Sequence, residues 1–220
     1  NIDYGVFEIG MDKKGEIDNL SKIVKPEVAV ITNIAEAHFK NFNTLKDIAK
    51  AKAEIINNIT KGGNIILNRD DKFFGYLSNK AKKNEISITS FGLKKKSDIY
   101  LMSIKKIKNY FRLKINVKNK FFYFDTKHST NNFINNILAC ISTMFVLNLN
   151  LNKMKKKFIG FKIPEGRGDI KIIKKFNKRF KFIDESYNAN LLSMTSAINN
   201  MDYYNDNKNH RKLVLLGDML

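Results

Sequence analysis

The fold is decided by a stretch of forty residues in which two short apolar runs flank one amphipathic helix: VAVITNI at residues 28–34, TLKDIAKAKAEIINNI at 44–59, and NIIL at 64–67. The apolar runs are rich in Val and Ile, as buried parallel strands are. Thr44 and Asp47 have the spacing of a capping box, and Gly62 and Gly63 end the helix. This order of elements predicts a doubly wound α/β sheet, whose ligand sites lie at the carboxyl ends of the strands.

The same pattern extends toward the amino terminus. The run from Tyr4 to Ile9 predicts another buried parallel strand. Glu8 lies at its end, so we expect this carboxylate to face the ligand crevice. His38 follows the strand at 28–34, although a single histidine in a loop is more often structural than functional.

Toward the carboxyl terminus the periodicity changes twice. From Asp98 to Asp125 apolar and polar residues alternate, which predicts a solvent-facing antiparallel ribbon, and residues 131–147 then repeat apolar side chains at helical spacing. Pro164 leads into the segment Glu165 to Gly168, where we place a domain boundary. Beyond it, a strand at 180–183, a helix at 192–203 and a strand at 212–216 predict the start of a second α/β domain.

The composition excludes several classes of protein. With 43% hydrophobic residues the chain is neither disordered nor fibrous. No apolar run approaches the ~20 residues of a membrane helix, and the amino terminus has no signal pattern, so we expect a cytoplasmic protein without membrane insertion. Cys140, the only cysteine, lies in an apolar run and is predicted to be a buried structural thiol. The net charge of +19 would suit nucleic acid, but the lysines are spread along the chain without an RNA-binding signature, so we expect no nucleic-acid partner.

Lys52 is the residue whose position most suggests chemistry. On the predicted helix it shares one face with four apolar residues, Leu45, Ile48, Ile55 and Ile59. A lysine on such a face must extend its amine to solvent, lose its charge or be used chemically. Glu54 falls outside this face and has the spacing to pair with Lys50.

Seven segments, taken in order, resemble the Mur ligase family. Four resemble its central ATPase domain: Asp3 to Gly10 with Gly15 to Ile17, Thr32 to Ile34 with His38, Ala51 to Ile55, and Asn68 to Asp71. Three resemble the MurF branch: Glu165 to Gly168, Asp184 to Asn190 with Ser193 and Met194, and Leu216 to Met219. Two local departures are Thr130-Asn131-Asn132 where the family has Gly-x-His, and Asn43 where it has Gly.

The resemblance implies a fold and a division of the chain. Residues 1–165 would be the central ATP-binding domain, an α/β domain with a mostly parallel sheet and an antiparallel ribbon, and residues 166–220 the start of a Rossmann-like C-terminal domain. In the family a phosphate loop and a UDP-binding domain precede this region, and none of the eleven glycines here has the phosphate-loop spacing. We therefore expect an internal piece, truncated in both domains and inactive by itself.

The resemblance also implies a set of site residues. The expected Mg²⁺ ligands are Glu8, His38 and Lys52, the last as the lysine that is carbamylated in this family. Carbamylation suits a partly buried lysine, because only a neutral amine adds carbon dioxide and the carbamate supplies the oxygens that Mg²⁺ prefers. For ATP, Asn68 would contact the adenine, Arg167 the phosphates, and Asp184 or Glu185 the ribose, while Asn188 and Asn190 would line the same site. The expected catalytic residues are Lys52, Glu8, His38 and Arg167.

The implied activity is ATP-dependent amide-bond formation in peptidoglycan precursor synthesis, and hence in cell shape and cell division. ATP would phosphorylate the terminal carboxylate of UDP-N-acetylmuramoyl-tripeptide, and the amine of D-alanyl-D-alanine would attack the acyl phosphate. The full-length enzyme is expected to be a monomer. Two alternatives stay open: another ligase of the same fold, such as a different Mur ligase or a folylpolyglutamate synthetase, and a basic nucleic-acid-binding protein.

Overall fold

The computed structural model describes residues 3–35, 41–187, 189, 191–201 and 211–217. The chain divides into two compact units, Asn1–Gly160 and Phe161–Leu220. The predicted α/β class is confirmed, since helices alternate with the strands of a mixed sheet whose first four strands are parallel.

A six-stranded sheet forms the first unit, with its strands side by side in chain order. They are β1 (Val28–Ile31), β2 (Asn64–Asn68), β3 (Ser87–Gly92), β4 (Ile99–Ile107), β5 (Tyr110–Val117) and β6 (Lys120–Thr126). Strands β1 to β4 pair in parallel, whereas β4, β5 and β6 pair antiparallel. The strand pairing of the sheet therefore changes from parallel to antiparallel at β4.

Helices cover both faces of the parallel strands. They are α1 (Glu16–Val24), α2 (Leu45–Lys52), α3 (Phe74–Lys83) and α4 (Asn131–Val146). Ile65 and Leu67 of β2 join the hydrophobic cluster beneath α1, α2 and α3, while Ile66 joins the cluster beneath α4. Successive residues of a strand point to opposite faces, so this strand is buried on both sides, as the apolar run at 64–67 predicts.

The predicted helix at 44–59 begins where expected and changes type near its middle. The Thr44 hydroxyl accepts a hydrogen bond from the Asp47 N–H at 3.2 Å, which confirms the predicted cap. The α-helix ends at Lys52 and continues as a 3₁₀ helix over Ala53–Asn58.

Two of the predicted strands are not strands in the structure. Residues 4–9 are irregular and mostly exposed, with Val6 96% exposed, and residues 212–216 are also irregular and exposed. Among the described residues β1 pairs with a strand on one side only. Neither residues 4–9 nor residues 212–216 pair with a strand in that part of the chain. An apolar run needs a neighbour to satisfy its backbone groups, so the pattern by itself was insufficient.

The predicted ribbon at 98–125 is confirmed as the meander β4, β5 and β6, but the expectation that it faces solvent holds for one face only. Leu113, Ile115 and Val117 of β5 are buried in the cluster that also contains residues of α4. The predicted burial of Cys140 is wrong, since this residue is exposed on α4. Partial desolvation nevertheless raises the pKa of its thiol.

The second unit contains an antiparallel hairpin of β7 (Asp169–Lys175) and β8 (Lys178–Asp184), followed by α5 (Leu191–Asn200). The strand predicted at 180–183 lies within β8 and is confirmed. The helix predicted at 192–203 is confirmed as far as Asn200, and residues 202–210 lie outside the described part of the chain. No helix among the described residues is long and apolar enough to cross a membrane.

Candidate functional site

Lys52 ends α2 on the face that the sequence predicts. Its neighbours on that face include the fully buried Ile48, and Lys52 itself is half-buried. Burial lowers the pKa of its amine, and the charge of Asp71 opposes this effect without cancelling it. A neutral amine is therefore reached at lower pH here than on an exposed lysine.

Asp71 acts on this lysine through its charge and connects two segments of the first unit by hydrogen bonds. One carboxylate oxygen accepts a hydrogen bond from the Ile34 N–H at 2.7 Å, and the other accepts one from the Phe73 N–H at 2.8 Å. The first bond connects the turn after β2 to the segment after β1. Asp71 has no predicted role beyond its place in the segment Asn68 to Asp71. Its place just after a buried strand was the signal that it could face a ligand site.

A small pocket of about 60 Å³ lies where the first three strands end. Its lining residues are mostly amides: Thr32, Asn33, Asn68, Phe91, Asn132, Asn135 and Asn136. Asn68 therefore lies at the carboxyl edge of the sheet, as its predicted role requires. Among the described residues no partner hydrogen-bonds the buried Asn135 Oδ1. The sequence reasoning assigned no role to the α4 asparagines, although four asparagines within six residues at a helix start were a visible signal.

Glu54 has a different role from the one predicted. The residue is 9% exposed, and its carboxylate accepts hydrogen bonds from the Gly15 N–H at 2.9 and 3.0 Å and from the Asp18 N–H at 3.2 Å. The predicted pair with Lys50 is wrong, since Lys50 pairs with Asp47 at 3.1 Å. The chain tightens to a 3₁₀ helix after Lys52, which rotates Glu54 away from its α-helical direction.

The expected metal ligands are not assembled in the described residues. Glu8 is exposed in an irregular segment, so its predicted position at the end of a strand is wrong. His38 lies outside the described residues. Within the described part of the chain no cluster of three or more His, Cys, Asp or Glu side chains could hold a metal ion.

In the second unit the structure brings Arg167, Asp184 and Glu185 together at the base of the β7–β8 hairpin. Arg167 stands between two glycines with φ of +74° and +93°, and its guanidinium carbon lies 4.2 Å from the centre of the Tyr187 ring. The Gly168 N–H donates to the Asp184 carbonyl at 2.6 Å. The φ of +93° at Gly168 is one that other residues rarely adopt, so glycine is favoured at this position.

The two carboxyls at this base are tuned in opposite directions. Hydrogen bonds from Ser186 lower the pKa of Asp184, against weak desolvation. Glu185 is exposed as a residue, but desolvation of its carboxyl raises its pKa, and the charges of Asp184 and Asp169 add to this. The predicted site residues Asn188 and Asn190 lie outside the described residues.

The amino-acid sequence is similar to a family model and to curated proteins. The family model described as Mur ligase middle domain matches residues 1–144. UDP-N-acetylmuramoyl-tripeptide--D-alanyl-D-alanine ligase of Rickettsia prowazekii is 32% identical over 219 residues, covering 99% of this chain and 47% of the relative. The ligase of the same name from Bacillus subtilis is 30% identical over 226 residues, covering 100% of this chain and 45% of the relative. The chain thus spans about half the length of the curated relatives it matches.

Solved structures agree with these relatives. MurF from Acinetobacter baumannii is 28% identical and superposes with a TM-score of 0.74 over 85% of this chain and 40% of its own. The MurF ligase from Thermotoga maritima in complex with ADP, at 22% identity, shares the fold with a TM-score of 0.75 over 90% of this chain and 45% of its own. Since the family model covers well over half of the residues, the chain belongs to the Mur ligase family.

Proposed function

We propose that this chain supplies nucleotide- and metal-binding parts of a MurF-type enzyme, an ATP-dependent ligase that adds D-alanyl-D-alanine to UDP-N-acetylmuramoyl-tripeptide. The observation that carries the proposal is the half-buried Lys52, whose pKa is lowered by burial. Its neighbour Asp71 accepts a hydrogen bond from the segment after β1. Relatives with that activity in their names match along 99% or more of the chain. In this proposal residues 1–165 form the central domain and residues 166–220 begin the C-terminal domain of a cytoplasmic, monomeric enzyme.

The reaction transfers the γ-phosphoryl group of ATP to the terminal carboxylate of the tripeptide, which gives an acyl phosphate and ADP. The amine of D-alanyl-D-alanine then attacks the acyl carbon, and inorganic phosphate leaves as the amide forms. Negative charge crowds around the transferred group, so fixed cationic partners supply much of the acceleration. Arg167 is proposed as one such partner, since its guanidinium lies in a glycine-flanked loop where phosphate oxygens could approach.

Magnesium is the second proposed partner, and Lys52 fits it only after modification. A neutral Lys52 amine would add carbon dioxide, and the carbamate oxygens together with Glu8 and His38 would hold the ion. The lowered pKa of Lys52 supports this step because it increases the fraction of neutral amine. Bound Mg²⁺ would neutralise charge on the phosphoryl oxygens.

Groups suited to binding a nucleotide are proposed in each unit separately. The amide-lined pocket with Asn68 offers donors and acceptors suited to the edge of the adenine. Asp184 and Glu185 offer carboxylates for the ribose hydroxyls, and Asn188 and Asn190 would line the same site. The low pKa of Asp184 keeps that group ionised as a hydrogen-bond acceptor.

The test is Lys52→Met in the complete gene product. Methionine fills the space of the lysine stem without charge, so we expect a folded protein that binds nucleotide. Amide formation, measured as ADP release dependent on both other substrates, should be at least ~100-fold slower, because the transition state loses a fixed partner. Lys52→Ala should regain part of the rate when a small carboxylate such as formate is added.

Lys50→Met is the matched control, because this lysine lies on the same helix, is exposed and forms an ion pair with Asp47 at the surface. It should keep full activity. Wild-type activity in Lys52→Met would exclude Lys52 from the site. Equal losses in both variants would assign the effect to the helix rather than to a metal ligand.

A further inference from the structure

The β7–β8 hairpin contains more cationic residues than the average composition of the chain would give. Six of the eleven residues at 171–181 are cationic: Lys171, Lys174, Lys175, Lys178, Arg179 and Lys181. At the chain's mean content of 40 in 220, two would be expected. None of the eleven is acidic, so this segment has a strong local excess of positive charge.

At the tip of the hairpin like charges face one another. Lys174 is paired with Arg179 and Lys175 with Lys178 across the two strands. Like charges at directly opposed positions destabilise a hairpin. Within the described part of the chain none of these four forms an ion pair, whereas Lys171 nearer the base pairs with Glu165 at 3.1 Å. The tip therefore has cations whose repulsion an external anion would relieve.

The turn that joins the strands places an aromatic side chain at the apex. Phe176 and Asn177 both have positive φ, 51° and 53°, as the two central residues of a type I′ turn do. Asn is common at such positions, but a bulky Phe is an outlier there. Its side chain is 84% exposed and contacts the Lys175 ammonium, which lies 5.1 Å from the ring centre. An exposed aromatic in a strained turn suggests a functional role rather than packing.

We propose that this hairpin tip docks on the surface of an anionic phospholipid bilayer, with Phe176 at headgroup depth and the four flanking cations against the lipid phosphates. Both the cations and the aromatic ring of the tip have a matching partner at a bilayer surface. Clustered Lys and Arg are attracted to anionic headgroups, and an aromatic ring with polar surroundings suits the bilayer interface. The single exposed ring at the turn favours a bilayer over single-stranded nucleic acid, which stacks several bases on several aromatic side chains within a groove.

The proposal is independent of the ligase activity and is tested by vesicle sedimentation with the complete gene product. The probe is a vesicle of phosphatidylglycerol and phosphatidylethanolamine in equal parts, compared with phosphatidylcholine alone. We expect binding to the anionic vesicles only. Each lysine at such a surface contributes about fivefold to partitioning, so Lys175→Gln with Lys178→Gln should weaken binding about 25-fold.

Two further variants separate docking from misfolding and from general charge. Phe176→Asn suits the turn better than Phe does, so it should keep the hairpin while weakening vesicle binding. Lys95→Gln with Lys96→Gln removes the same charge from the loop before β4 and should leave binding unchanged. The proposal is overturned by absence of binding to the anionic vesicles or by equal loss in the Lys95 and Lys96 control. It is also overturned if the tip variants reduce binding to a single-stranded RNA while vesicle binding is unaffected.

Discussion

Glu54 caps a helix that is distant in sequence, and removing its carboxylate should destabilise the first unit. Helix α1 begins at Glu16, and the N-cap residue before it, Gly15, has no side chain to cap the helix. The Glu54 carboxylate accepts hydrogen bonds from the Gly15 and Asp18 N–H groups instead. It also places a negative charge at the amino end of the helix dipole.

The size of the effect follows from these contacts. A hydrogen bond to a charged group contributes about 1.5–3 kcal/mol, and loss of an N-cap costs about 0.5–2 kcal/mol. Both N–H groups are only half-buried, so water replaces part of the loss in Glu54→Ala. We therefore expect Glu54→Ala to lower the free energy of unfolding by about 2–3 kcal/mol. Glu54→Gln keeps one acceptor oxygen and should cost about 1 kcal/mol.

Urea unfolding followed by circular dichroism measures this directly. With a slope of about 2 kcal/mol per molar urea, Glu54→Ala should lower the midpoint by about 1 M. Glu27→Ala is the control, because Glu27 is exposed at the surface of the same unit and should change stability by no more than about 0.5 kcal/mol. A Glu54→Ala midpoint within error of the wild type would refute the capping role.

Three other predictions concern stability. The Arg112 guanidinium donates two hydrogen bonds, of 2.7 and 2.9 Å, to the buried carboxylate of Asp125. Arg112→Met leaves that buried charge unpaired, so it should lower the free energy of unfolding by about 3 kcal/mol, and by more than Asp125→Asn does. Equal losses of stability in thermal unfolding of the two variants would argue against that reason. Burial raises the pKa of Asp98, but hydrogen bonds from Lys118 and Ser90 outweigh it and lower the pKa below 3.8. The ionised Asp98 therefore stabilises the folded chain fully above pH 3.8, and this stabilisation is lost as the pH falls through the pKa of the folded state. The loss of unfolding free energy in Asp98→Asn should accordingly become smaller in acid. A loss that does not depend on pH would contradict this. A Cβ on Gly63 would lie 2.6 Å from the Glu27 carbonyl oxygen, whereas one on Gly75 meets nothing within 4 Å. Gly63→Ala should therefore cost about 2 kcal/mol and Gly75→Ala should gain about 0.5–1 kcal/mol, and calorimetry showing the opposite order would contradict the geometry.

The elements with strong local signals were predictable from the sequence. The Thr44 cap, the alternation in β5 and the apolar stripe of α4 each depend on neighbours within a few residues. The run at residues 4–9 failed because a strand also needs a partner, and no local pattern specifies one. Helix α2 was predicted too long, since the change to a 3₁₀ helix after Lys52 is set by tertiary packing.

The environment of Lys52 was predictable from the sequence, but the contacts around it were not. Lys52 was found because a charged residue stood out on an apolar face, and the structure confirms that it is half-buried. Asp71 and Asn135 were missed as contributors because their contacts cross between elements that are distant in the chain. Glu54 was misassigned because its partners lie 36 and 39 residues away.

The change of the sheet at β4 has a consequence for how the chain reaches this structure. Strands β4, β5 and β6 are joined by two-residue turns, so each pairs with its immediate successor. The parallel strands β1 and β2, and likewise β2 and β3, are joined by long crossovers that contain a helix. Hairpins close within about 1–10 μs, while contacts between distant residues bear a larger entropy cost of loop closure. The meander is therefore expected to form early and to present β4 as the template on which β3, then β2, then β1 assemble.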